Sequence, residues 1–471
     1  MKINRDNHLP TALPTAEQLE FHDWEFGLFL HFGLRTFHEG HRDFDGKPMD
    51  PARFNPTELD CEQWITTAKA AGMRYAILTA KHHDGFANWP SRYTDYSVAS
   101  SPWKGGQGDV VREFTDACHR HGMGIGLYYS PADAASPVYD DEKAYDDYFI
   151  NQLSELLSEY GKVDILWLDG CGSEGHEYDW ARIGREVARL QPGILGGTGD
   201  PAFRYPLNEQ GIAPLRCWNT MEVGNGRCGW AVTECDCRMR LANWFYSDQD
   251  EDTVKSLEEL IGLYYYSVGR GCNLLLNIGP DRRGLLPDKD GARLLEFGAE
   301  IQRRFAHPIV SLADWQRVDD GWETSLAGRS LLNHIILQED LTHGEHVRRF
   351  DIQVILDNDA MTLYEGDNIG HKAICQFPPI TASALRIRLL EADGPVYLRR
   401  LDAHYVPEIG GGTQATISGD ARHDKGDSCP RGPITSAELV RPTDTLSSHA
   451  ATDSRQVAVS HHADSASSLE D

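Results

Sequence analysis

Short apolar runs alternate with amphipathic stretches four times between residues 25 and 170, and this alternation constrains the fold more than any other feature of the sequence. The runs are EFGLFLHFGLRTF (25–37), RYAILTAKHHDGF (74–86), GIGLYYSP (124–131) and DILWLDG (164–170). Each is short, apolar and closed by a turn signal, the pattern of a strand buried on both faces. Between them, CEQWITTAKAAGM puts Trp64, Ile65, Ala68 and Ala71 on one side of a helix, and DVVREFTDACHRHGM keeps Val110, Val111, Phe114 and Cys118 in phase. YDDYFINQLSELLSEYG is a further helix with a glycine stop. Strands and helices at this spacing build parallel βα units.

The later chain continues less regularly. DWARIGREVARLQPG reads as a helix, ILGGTGD as a short strand, LRCWNTME as a sixth strand and EDTVKSLEELIGLYYYSVGRG as one long helix. NLLLNIGP (273–280) is a last apolar strand and DGARLLEFGAEIQRRF a closing helix. The expected fold class is α/β, with a (β/α) TIM-like catalytic barrel over residues 1–307. A doubly wound open sheet is the alternative; it usually carries a Gly-rich phosphate turn after its first strand, and HFGLRTF is not one. From Pro308 the helical period disappears. SLLNHIILQED, VRRFDIQVILD, KAICQFPPI, SALRIRLLE and VYLRRLDAHYV predict a C-terminal antiparallel β-sandwich over 308–406. Residues 407–471, rich in Ser, Thr, Asp, His and Gly, predict a disordered low-complexity tail.

Composition narrows the partners. A formal net charge of -27 argues against nucleic acid or an anionic membrane surface. The N-terminal MKINRDNHLPTALPTAEQLEF has no apolar signal region, and no later segment is long and apolar enough to span a bilayer, so the expected location is cytoplasmic. The 10 cysteines, scattered over a long chain, fit reduced thiols. Cys217, Cys228, Cys235 and Cys237 lack the paired C-x-x-C spacing of zinc sites, so no metal is expected there. Nothing in the sequence gives the oligomeric state.

The polar groups collect where the apolar runs end. His31, His82, His83, Tyr129 and Asp169 all fall at strand exits, and on a barrel such exits converge on one face. Taken singly, Asp169 could cap the next segment or pair with a buried arginine. Together with imidazoles and a phenol it suits the hydroxyl groups of a sugar, with Trp89, Trp218 and Trp244 as apolar faces. A metal at His82 and His83 is the alternative, but adjacent histidines point in different directions. A glycosidase needs a second carboxyl beside Asp169. Glu174, Glu177, Glu209, Glu222 and Glu234 all follow it, and the residues alone leave the choice open.

FGLFLHFG, YAILTAKHHDGFANWPS with TDYSV, GIGLYYSP, DILWLDG and GCNLLLNIGP together resemble the retaining α-L-fucosidases of glycoside hydrolase family twenty-nine. NEQGIA, TECDCRMR, NWFY, TVKSLEEL and SVGRG, with the later LLNHIILQEDLTHGEHV, resemble its branch acting on α-1,3/1,4-linked fucose. The resemblance implies an exo-acting enzyme on fucosylated oligosaccharides, with no metal or organic cofactor. By position it implies Asp169 as nucleophile, Glu209 as acid/base, and His31, His82, His83 and Tyr129 as fucose contacts, with Trp218, Glu234, Arg240 and Trp244 as further pocket residues. Leu207 stands where the motif usually has glycine, Arg238 where serine is common, and residues 241–243 replace a Pro-Gly turn. Against this stand a glycan-binding protein without chemistry and a glycosidase for another sugar on the same scaffold.

Overall fold

The computed structural model describes residues 12–38, 49–173, 175–196, 202–206, 208–222, 228–356 and 359–408, all within one compact unit. Helix α1 (Ala16–Trp24) starts at a capping box in which Thr15 and Gln18 each bond the other's backbone N–H. It was not among the elements expected above. Next come β1 (Phe26–Leu30), α2 (Cys61–Ala70), β2 (Tyr75–Lys81), α3 (Val110–His121), β3 (Gly124–Tyr129), α4 (Glu142–Glu159), β4 (Ile165–Leu168) and α5 (Trp180–Leu190). The side chains of Asp60, Asp109, Asp141 and Asp179 cap α2, α3, α4 and α5, so each of these helices begins at its own starting signal.

β5 (Phe203–Arg204), β6 (Thr220–Glu222), β7 (Cys228–Trp230), β8 (Val232–Arg238), α6 (Leu257–Tyr266), β9 (Asn273–Asn277) and α7 (Asp288–Phe305) complete the N-terminal part. Seven strands pair in parallel in the order β4-β3-β2-β1-β9-β8-β5, a half-barrel of the TIM-like kind. Leu195 adds an isolated parallel bridge to Ile165 beyond β4; this is what the ILGGTGD segment supplies, residues 197–200 being outside those described. The expected sixth strand is not in the sheet. Its end, β6, pairs antiparallel with β7, a hairpin between near neighbours that needs no crossover. The expected long helix over 251–271 is also shorter. A single 3₁₀ segment runs from Asp248 to Thr253, and α6 begins only where Ser256 and Glu259 form a capping box.

Strand parity divides the side chains. Phe29, Tyr75, Ile77, Tyr128, Ile165, Val232 and Leu275 make one buried cluster, with Trp167 packed on it, inside the curve of the sheet. Their neighbours Leu28, Leu30, Ala76, Leu78, Ile125, Leu127, Leu166, Leu274 and Leu276 belong to the cluster shared with the helices. The inner rings fit because glycine faces them: a Cβ on Gly27 would lie 2.5 Å from the Tyr75 ring, and one on Gly126 2.5 Å from Ile77 Cγ1.

The C-terminal part is antiparallel: β10 (Gln316–Val318), β11 (Gly321–Glu339), β12 (Val347–Leu356), β13 (Asp359–Gly366), β14 (Ala373–Ala392) and β15 (Leu398–His404). KAICQFPPI and SALRIRLLE, expected as separate strands, are one bent strand, β14. Pro378 and Pro379 fall between the Leu332–Ile380 and His334–Gln376 pairs, in an irregularity where no ladder N–H is required. β11 pairs with β15 at its C-terminal end, from His334 to Glu339, and with β10 at its N-terminal end, from Gly321 to Glu323, and residues from both ends share one core, Trp322, Leu332, Ile335, Leu337, Phe350, Ile352, Leu385, Ile387 and Leu401 among them. This fits a β-sandwich. It packs on the parallel sheet's helices through Ile336 and Ile374, and a buried Glu345 accepts from Asn219 N at 2.6 Å and Asn219 Nδ2 at 2.9 Å. The tail expected from 407 lies outside the described residues beyond Glu408.

Candidate active site

Inward parity carries Asp169, one residue past β4, over the top of the inner cluster, with its side chain 25% exposed. Both carboxylate oxygens are held by donors: Tyr128 OH donates to Oδ2 at 2.8 Å and the Cys171 backbone N–H to Oδ1 at 2.9 Å. Such donors fix the orientation of the carboxylate. His83 Nε2 lies 3.5 Å from Oδ2, while its Nδ1 is 2.5 Å from Ser130 Oγ. Ser130 donates its own proton to Ala132 O at 2.8 Å, so Nδ1 of His83 carries the hydrogen of that contact.

His31 and His82 complete the rim. His31 Nδ1 meets Asn277 Oδ1 at 2.8 Å, and Asn277 Nδ2 donates to Trp244 O at 2.8 Å, which orients the amide and makes His31 the donor. Burial pushes the His31 pKa down to about 3, so the ring is neutral and its other nitrogen is an acceptor. His82 stacks on Tyr128 at 5.4 Å between centroids, burial drives its pKa well below the usual histidine range, and its buried Nδ1 has no hydrogen-bond partner. Trp244 stands 5.0 Å from His31, and Phe245 meets both rings edge-on. Arg238, at the end of β8, brings its guanidinium 5.3 Å from the Trp244 ring.

The other expected residues are distributed differently. Tyr129 has outward parity: its hydroxyl donates to Gln152 Oε1 at 2.6 Å and Lys81 Nζ sits 4.2 Å from its ring, so Tyr128, not Tyr129, reaches Asp169. Arg240 lies two residues past β8 and turns toward α7, bonded to Asp290 at 2.8 Å, Asp250 at 3.0 Å and Ser247 O at 3.0 Å. Trp89 is buried, its Nε1 donating to Glu155 at 2.9 Å. Trp218 lies under Arg348 of the antiparallel sheet, with the guanidinium 5.0 Å from its ring. Glu234 is inward but one layer below the rim, accepting from Tyr75 OH at 2.6 Å and Trp167 Nε1 at 3.0 Å; burial raises its pKa to about 7.

Glu209 is exposed on a loop tied to β8 by the Gln210–Cys237 bridge and by Gly211 N donating to Asp236 O at 2.9 Å. The Tyr205 hydroxyl donates to Asp236 at 2.7 Å, and its pKa is raised by burial first, then by Asp236, Glu209 and Asp169. Two carboxylates from different loops thus act on one phenol. Asp236 is buried and pushed up to about 8, chiefly by desolvation, with Glu234 and Glu209 adding to it. Of the residues absent from the expected set, Tyr128, Asn277 and Trp167 were accessible through strand parity; Tyr205 and Phe245 stand outside the long strands and carried no such signal. Among the described residues His83, Asp169 and Cys171 are the one group of His, Cys, Asp or Glu ligands close enough for a metal; Cys217 instead meets Cys272, Sγ to Sγ at 3.3 Å. No described helix is long and apolar enough to cross a membrane.

Residues 50–304 match the family Alpha-L-fucosidase. A relative from Oryza sativa subsp. japonica bearing an α-L-fucosidase name is 35% identical over 430 residues, covering 80% of this chain and 82% of its own length. Alpha-L-fucosidase 1 of Arabidopsis thaliana is 37% identical over 321 residues, covering 64% of this chain and 62% of that protein. The crystal structure of a glycoside hydrolase 29 family member from an unknown rumen bacterium superposes with a TM-score of 0.79 at 32% identity, covering 87% of this chain and 80% of that one.

Proposed function

Because the chain belongs to the α-L-fucosidase family, and is thereby a glycoside hydrolase acting on fucosylated glycans, we propose that it releases terminal L-fucose by double displacement, with Asp169 as nucleophile and Glu209 as acid/base. The observation that carries this reading is the carboxylate of Asp169, held on both oxygens by neutral donors beneath a rim of histidines. An ionised, oriented carboxylate can attack the anomeric carbon, and the leaving oxygen then takes a proton from the second carboxyl. Retention asks for about 5–5.5 Å between the two. Glu209 suits the second role because it is accessible and its charge, like that of Asp169, raises the Tyr205 pKa. Glu234 has the raised pKa of an acid, yet both its oxygens are bonded inside the sheet.

In this reading the neutral His31 accepts from one sugar hydroxyl, His82 and His83 contact others, and Trp244 covers the apolar face. Tyr129, Arg240 and Trp218 have no direct part in it. The preferred linkage is α-1,3/1,4, and the parallel half-barrel belongs to a TIM-like (β/α) barrel domain over residues 1–307, with the sandwich following over 308–406.

Asp169→Asn should lower turnover of an aryl α-L-fucoside by at least about 10³-fold with an unchanged circular-dichroism spectrum. Normal turnover in that variant removes Asp169 as nucleophile. Proton NMR of the first-formed sugar should show α-fucose; β-fucose would rule out double displacement. Comparing the aryl fucoside with a branched trisaccharide carrying α-1,3/1,4-fucose tests linkage, and release from the aryl compound alone discards that preference.

A further inference from the structure

We propose that His83, Asp169 and Cys171 form a site for a soft divalent cation, Zn²⁺ above all, seated on the carboxylate itself. One ligand atom from each residue lies within 4.8 Å of the other two. The His83 Nε2–Asp169 Oδ2 separation of 3.5 Å is long for a hydrogen bond. It is close to the edge of a tetrahedron with zinc bonds of about 2.0–2.1 Å, which is roughly 3.3–3.4 Å. The rim is also preset for a metal. Ser130 accepts the Nδ1 proton of His83 and passes its own to Ala132 O, so Nε2 is the nitrogen turned to the carboxylate. A histidine ligand is ordinarily fixed this way, through its other nitrogen. Tyr128 and the backbone N–H of residue 171 hold the carboxylate in turn.

The donor set gives the chemical class. One imidazole, one carboxylate and one thiolate select zinc over magnesium or calcium, which take oxygen ligands. Cys171 is exposed, so a hydrated cation reaches it from solvent. The thiol proton leaves to water as the sulfur–metal bond forms, and water fills the fourth position. The cation occupies the oxygens that would attack the sugar, so Zn²⁺ and fucoside exclude each other. That exclusion, though not the binding, rests on the nucleophile assignment above.

The experiment uses the intact protein with Co²⁺ as a spectroscopic probe and Zn²⁺ as inhibitor, on wild type and Cys171→Ser. Wild type should show a thiolate-to-cobalt charge-transfer band, displaced by Zn²⁺ and abolished by a chelator, and Cys171→Ser should lack it. Zn²⁺ should inhibit aryl-fucoside turnover competitively, and at least about 10-fold less strongly in Cys171→Ser when each protein is read against its own metal-free turnover. A band of equal strength in both proteins, or none in either, overturns the site. A Cys171-dependent band with turnover indifferent to Zn²⁺ upholds the site and instead overturns Asp169 as nucleophile.

Discussion

The same residue types stand on both faces of the parallel sheet, and they meet different fates. On the outer face, and in the connections packed outside it, the polar groups are committed to one another: Arg240 to Asp250, Asp290 and Ser247 O, Lys81 to Asp133 at 2.8 Å, Tyr129 to Gln152, Trp89 to Glu155. At the inner rim they hold capacity in reserve. His82 keeps an unpartnered Nδ1, the neutral His31 keeps an acceptor nitrogen, and Asp169 stays partly open to solvent. A buried polar group that lacks a partner costs on the order of 1–3 kcal/mol, so an atom like His82 Nδ1 persists where a ligand supplies the missing bond. The difference teaches that residue type at a strand end marks chemistry only when the strand's parity turns it inward.

The strongest way to break this division is at Arg240. Replacing it with methionine leaves the buried Asp250 and Asp290 without their cation, an expected loss of about 3–5 kcal/mol in urea unfolding. The folded fraction should keep kcat/KM within about twofold. Full stability with lost turnover would put Arg240 back among the pocket residues.

Glu234 sharpens the division between the rim and the layer beneath it. Its folded pKa, about 7, lies above that of an unfolded glutamate near 4.3. Its protonated form is therefore favoured by folding. That stability is present in full below the unfolded pKa and is lost as pH rises through about 7, on the order of 3 kcal/mol by pH 8. Glu234→Gln should flatten the fall in urea midpoint between pH 5 and 8, leaving the share contributed by Asp236, which is pushed up to about 8. Turnover should survive in the variant. Its abolition would move the acid/base role from Glu209 to Glu234.

Much of this was legible in the sequence. The strand exits named His31, His82, His83 and Asp169, and the apolar runs became β1 to β4 and β9. Even α1 carries a readable start, since Thr15-Ala-Glu-Gln18 has the spacing of a capping box. Parity was legible too: counting back from Asp169 pairs it with Trp167 and Ile165, and the register Tyr128–Trp167 puts Tyr128 on the same face. Arg240 was not legible, because the alternation ends with β8 at Arg238 and its partners lie 10 and 50 residues away. The contact of Trp218 with Arg348 was hidden for the same reason: it joins the parallel part to a strand of the antiparallel sheet.

The smallest and most direct test deletes one oxygen from each of two adjacent residues. Tyr128 and Tyr129 are both fully buried, both donate to an amide or carboxylate oxygen, and differ by one step of strand parity. Tyr128→Phe removes a donor to a charged group, a bond worth roughly 1.5–3 kcal/mol, and kcat/KM should fall about 10- to 100-fold with little change in Tm. Tyr129→Phe leaves Gln152 Oε1 without its donor inside the helix layer, and stability should fall by about 1–2 kcal/mol while kcat/KM holds. The two variants remove the same atom from the same kind of site, so size and hydrophobicity cancel between them. If both lose activity alike, the outer layer transmits to the rim and the division by parity fails. If they part as described, one residue of register separates a side chain that supports chemistry from one that supports the fold.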